Sequence, residues 1–102
     1  MGFPRDVSIE YRISSTTVGA TVAVTYTDAE GGDAHETEVQ LPTAFEVDCE
    51  VHEFDGLYLS ASVDPAEPMP TDLHLEIDVG GELVASQTDL SERYASVIYS
   101  FE

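Results

Sequence analysis

Lysine is missing from this chain, and three arginines face 21 aspartates and glutamates, so the formal net charge at neutral pH is −18. A surface of that sign repels nucleic-acid phosphates and has no basic stripe to displace their counterions, which argues against a DNA or RNA partner. Attachment to an anionic membrane surface is disfavoured on the same ground. Cys49 is the only cysteine, which excludes an internal disulfide, a cysteine-built zinc site and a dithiol redox pair. Lying between Val47 and Val51 in an apolar phase, it reads as a small buried hydrophobe. No stretch approaches the roughly 18 consecutive apolar residues of a spanning helix. No apolar signal region follows Met1, because Arg5 and Asp6 come almost at once. Either the protein is made without a targeting segment, or the sequence is a piece of a longer one.

Acidity on this scale accompanies disorder when apolar residues are scarce. Here they make up 42% of the 102 residues and recur in short, regular groups, so a single packed domain over 1–102 is expected, with 1–6 as an N-terminal arm. Adaptation to high salt explains the charge better, since repulsion that loosens the fold in dilute buffer is screened when the Debye length falls to about 3 Å at molar salt.

Apolar residues come at every second position through most of the chain, the mark of strands with one buried face. Val7, Ile9, Tyr11 and Ile13 share one phase, as do Val18, Ala20, Val22, Val24 and Tyr26, with Thr21, Thr25 and Thr27 turned outward. After a polar turn over Asp28 to Asp33, the chain returns through Thr37, Val39 and Leu41. Beyond Pro42, Phe45, Val47, Cys49 and Val51 face inward, while Glu46, Asp48 and Glu50 form an acidic row that would guard a sheet edge. Leu57, Leu59, Ala61 and Val63 follow, and the proline-stiffened segment from Asp64 to Pro70 suits a crossover between sheets. Leu73 to Val79, a Gly80-Gly81 turn, a short strand around Leu83 to Ser86 and a last strand from Arg93 to Phe101 complete the chain. No segment keeps a helical period. The pattern predicts an all-β fold, an immunoglobulin-like two-sheet β-sandwich of seven to eight antiparallel strands, and a small closed barrel fits the same alternation.

Chemistry-bearing motifs are few. Gly-x-Ser-x-Gly is absent, and neither glycine pair leads into a helix that could cradle phosphate, so no catalytic residue is predicted. His35, His52 and His74 sit on separate segments without the spacing of a zinc site. Asp28, Glu30 and Asp33 share one loop and are the candidate ligands for calcium, which takes hard oxygen donors, although their spacing is not that of an EF-hand. Tyr58 and Tyr94 are out of phase with the buried sets beside them and are candidates for a contact surface.

The order of Tyr11 to Ile13, Val22 to Gly31 ("VTYTDAEG" at its heart), Leu41-Pro42, Leu57 to Ala61, Leu75 to Gly81 and Tyr94 to Val97 resembles the extracytoplasmic domain of the MmpS family of mycobacterial and actinobacterial membrane proteins. Where that family commonly carries a cysteine pair and a tryptophan, this chain has Leu75, Tyr99 and Thr43. The resemblance implies a β-sandwich outside the cytoplasm, tethered by one N-terminal membrane helix. It also implies a non-enzymatic accessory role beside a membrane transporter, with that transporter or its lipidic cargo as partner. The alternative is a free-standing ligand- or calcium-binding sandwich from a salt-adapted organism.

The charge imbalance generates the first prediction. Melting temperature followed by circular dichroism rises steeply from low salt to molar KCl or NaCl; a melting temperature indifferent to salt contradicts salt adaptation.

Overall fold

The computed structural model of the chain describes residues 4–17, 19–52, 55–64, 70–90 and 93–101. Every alternating stretch becomes a strand: β1 (Arg5–Ser14), β2 (Thr21–Thr27), β3 (Asp33–Gln40), β4 (Thr43–Val51), β5 (Gly56–Ser62), β6 (Asp72–Val79), β7 (Glu82–Leu90) and β8 (Tyr94–Ser100). They form two antiparallel four-stranded sheets, β4-β1-β6-β7 and β3-β2-β5-β8, packed face to face as a β-sandwich. Among consecutive strands, only β2–β3 and β6–β7 are hairpins within a sheet; the other connections change sheet. The β6–β7 hairpin closes through two residues, Gly80 and Gly81, with φ of 61° and 86°. Two successive positive φ values suit the right-handed twist of the flanking strands, and glycine alone adopts them without strain.

Between the sheets, Ile9, Tyr11 and Ile13 of β1 and Leu73, Leu75 and Ile77 of β6 meet Val22 and Val24 of β2 and Leu59 and Ala61 of β5, all essentially inaccessible to water. Burying each of the larger aliphatic side chains contributes about 1.5–3 kcal/mol. Tyr11 is the largest side chain in this core. Its ring lies 5.3 Å from that of Tyr26, which in turn stacks on Phe45 at 4.8 Å, so one aromatic column joins the two sheets. The Tyr11 hydroxyl donates to the Thr27 carbonyl at 2.9 Å, and burial drives its pKa upward, keeping the phenol neutral.

Several boundaries depart from the alternation. The first strand already starts at Arg5, inside the stretch expected to be an arm, because Arg5 and Asp6 pair with Val51 and Glu50 of β4. Thr27 keeps the outward phase but is buried, its Oγ1 turned back to accept the Tyr58 amide at 2.9 Å. Cys49 is half-buried. Val18 lies outside the described residues, as do 65–69 within the connection that crosses from β5 to β6. The seventh strand runs well past Ser86: its polar half, Ser86 to Thr88, is held by the ladder to Glu76, Leu75 and His74, and an edge strand open to water shows no alternation to read.

Substituting Tyr11→Phe leaves the shape of the core intact and strands the Thr27 carbonyl. The expected cost is about 1–2 kcal/mol in denaturant unfolding with an unchanged m-value; no loss of stability would mean that this hydrogen bond contributes nothing to the joining of the sheets.

Candidate functional site

The most distinctive surface feature follows from which strands carry charge. Neither β2, β5 nor β8 contains a single Asp, Glu, Arg, Lys or His, and these are three of the four strands of one sheet. The outward-phase residues paired across them, Ala23 and Thr25, Tyr58 and Ser62, and Tyr94, Ser96 and Ile98, with Ser60 buried among them, make a face of hydroxyl, phenol and aliphatic groups. The opposite sheet is acidic. Its register sets Glu10 against both Glu46 and Asp78, and Asp6 against Glu50. Like charges directly opposite destabilise a ladder, and one guanidinium answers the Glu10–Asp78 pair: Arg12 reaches Glu10, Glu76 and Asp78, with a bidentate contact to Asp78. Those contacts raise the Arg12 pKa further above its already high value, Asp78 first.

On the uncharged face the two tyrosines meet. The hydroxyls of Tyr58 and Tyr94 hydrogen-bond directly, although the residues are 36 positions apart. A hydrogen bond with Ser60 favours the Tyr58 phenolate, but the bond to Tyr94, burial and the nearby Tyr94 and Asp33 outweigh it, so Tyr58 titrates above its ordinary range. Tyr94, bonded to Tyr58, titrates below it. Tyr94 is 54% exposed and Ile98, two strand steps further along the same side of β8, is 69% exposed. Among the described residues, Leu83 is the one other exposed large hydrophobic side chain. Ile98 was not anticipated. The absence of charge from three strand segments, visible in the bare sequence, is the signal that points to it.

In the loop proposed for calcium, Asp28 has a structural role. Asp28 Oδ1 accepts the amides of Glu30 at 3.0 Å and Gly32 at 2.9 Å, and the Asp28 amide donates to the Gly32 carbonyl, so this carboxylate builds the β2–β3 turn. Asp28, Glu30 and Asp33 do not converge: among the described residues, no group of three or more His, Cys, Asp or Glu side chains is arranged to hold a metal ion. The turn does form one wall of a cleft of about 420 Å³, whose other wall includes Cys49, Glu50, His52 and Asp55. Burial pushes the Cys49 thiol pKa up, and the charges of Asp55 and Asp48 push it the same way, leaving a protonated, poorly nucleophilic thiol.

The histidines stay apart. His35 contacts Thr25 and His52 lies 3.3 Å from Glu50. His74 sits between Asp72, at 2.7 Å, and Thr88, at 3.0 Å. Asp72 was also unanticipated, and its role is structural. Its Oδ1 accepts the Thr16 amide, the Thr16 hydroxyl and the Ser15 hydroxyl, clamping the β1–β2 connection onto β6. These bonds, the Thr16 amide foremost, lower the Asp72 pKa to about 2.

No protein-family model matches this chain, and no curated protein is similar to it.

A carboxylate whose pKa is depressed by folding stabilises the native state above its unfolded pKa, near about 4, and loses that contribution as pH falls through its folded value. Asp72 therefore supports the fold fully at neutral pH and ceases to do so between about 4 and about 2. The stability gap between the wild type and Asp72→Asn, measured by urea unfolding, is expected to be widest at neutral pH and to close across that window; a gap independent of pH contradicts the clamp.

Proposed function

We propose that the domain is a non-enzymatic interaction module of the cell envelope that docks through the uncharged face of the β3-β2-β5-β8 sheet, with Tyr58, Tyr94 and Ile98 as its central contacts. The observation that carries this reading is the partition of charge: in a chain of net charge −18, three adjacent strands hold none. Desolvating ionised groups at an interface is costly, whereas tyrosine and serine bury cheaply and still offer hydrogen bonds. Exposed aromatic side chains set beside neutral polar groups are the kind of anchor that dominates binding energy.

The partner follows from the resemblance to the MmpS domain: the extracytoplasmic surface of a membrane transporter. An uncharged tyrosine- and serine-bearing sheet face suits a protein surface. A lipidic cargo calls for a concave apolar pocket; the cleft at the β2–β3 turn is instead rimmed by Asp28, Glu30, Glu50 and Asp55, and the one lined by Val22, Ala23 and Val63 also carries Glu38 and Asp64.

The test is retention of membrane proteins, solubilised in detergent from the source cells in molar salt, on the immobilised chain. A multispanning transporter is expected to be held by the wild type and lost with the double variant Tyr94→Glu, Ile98→Glu, whose circular dichroism stays native. Absence of any transporter, or equal retention by the variant, overturns the reading.

A further inference from the structure

Each sheet has two edges, and three of the four edge strands are defended. Exposed carboxylates stand on β4 (Glu46, Asp48, Glu50) and on β3 (Asp33, Glu36, Glu38), β7 begins with the exposed Glu82, and the ladders of both β3 and β7 are interrupted by register shifts. Charge and bulges are what keep a bare row of amides and carbonyls from recruiting another strand. The fourth edge has neither. Strand β8 is uncharged from Tyr94 to Ser100, and its seven residues pair with β5 in an unbroken register from Gly56↔Ser100 to Ser62↔Tyr94. Among the described residues, β5 is its one ladder partner.

We propose that this edge pairs with the β8 edge of a second copy, antiparallel across a two-fold axis at Val97, so that two four-stranded sheets become one of eight. A two-fold axis sets every residue against a residue of the same strand, so any carboxylate near its middle would face another. β8 is the edge strand on which that conflict cannot arise. Its side chains also fit their own reversal: Tyr94 falls opposite Ser100, Ala95 opposite Tyr99, Ser96 opposite Ile98, and Val97 opposite itself. Each bulky residue meets a small one, and residues of one phase meet residues of the same phase, as a continuous sheet requires. The two Ile98 side chains, the most exposed large hydrophobic groups described, approach diagonally across the axis and shield each other. A second copy therefore fits this edge better than an arbitrary foreign peptide. The pairing stands independently of the transporter reading, because it concerns the purified chain alone.

Seven paired residues bury less than the area of a standard stable interface, so the dimer is weak and concentration-dependent. Sedimentation of the purified chain in molar KCl, from about 10 μM to about 1 mM, is expected to show the mass rising from 11.1 kDa towards twice that value. Over the same range, the alternate β8 amides that point away from β5 gain protection from hydrogen exchange. Ile98→Glu places two carboxylates across the axis and weakens association at least tenfold. Thr25→Glu, a charge on the middle of the sheet face, leaves it intact. A monomer at every concentration overturns the proposal. So does a dimer whose β8 amides stay unprotected, and so does one that Thr25→Glu abolishes, since that dimer packs face to face.

Discussion

Burial of two apolar sheet faces against each other has to outweigh the mutual repulsion of eighteen unbalanced negative charges, and this contest shapes the whole molecule. The core answers with inner faces dominated by apolar side chains and with an aromatic column, Phe45, Tyr26 and Tyr11, that crosses from sheet to sheet. Polar groups drawn into the interior are matched: the Tyr11 hydroxyl finds the Thr27 carbonyl, and among the described residues no buried side-chain polar atom lacks a partner.

On the outside the same repulsion is managed by segregation. Most strand carboxylates lie on one sheet, where the forked contacts of Arg12 hold Glu10 and Asp78, which the register sets opposite each other; the remainder of the strand carboxylates stand on β3, at the edge of the other sheet. With so few cations in the chain, each is committed. Arg5 lies 5.5 Å over the ring of Phe101, and Arg93 donates to the Asp64 carbonyl. The other sheet is thereby freed of charge over three strands, and both the face proposed for docking and the edge proposed for pairing lie within that region.

Much of the architecture was legible in the alternation, because a side-chain period of two has one physical meaning wherever one face is buried. The seven to eight strands expected and the acidic edge row on β4 follow from it, while the glycine pair marked the Gly80-Gly81 hairpin and the proline-rich loop the change of sheet after β5. The outward direction of Tyr58 and Tyr94 was legible too, but their union was not, since nothing local links residues brought together by the β5–β8 ladder. Asp72 escaped notice for the same reason: its partners Ser15 and Thr16 are more than fifty positions away. The acidic loop shows a different limit. Proximity in sequence grouped Asp28 with Glu30 and Asp33, whereas the backbone amides nearest Asp28 claim its oxygen first. The polar end of β7 was invisible because an edge strand wet on both sides obeys its neighbour rather than a hydrophobic period.

The two-sidedness of the charge acts at a distance as well. Near any negatively charged boundary, the more acidic sheet is pushed outward more strongly than the one whose carboxylates are confined to β3, so the molecule experiences a torque before it experiences contact. It arrives with its less charged side already turned toward the surface, and the strength of that alignment fades as dissolved salt shortens the range of the field.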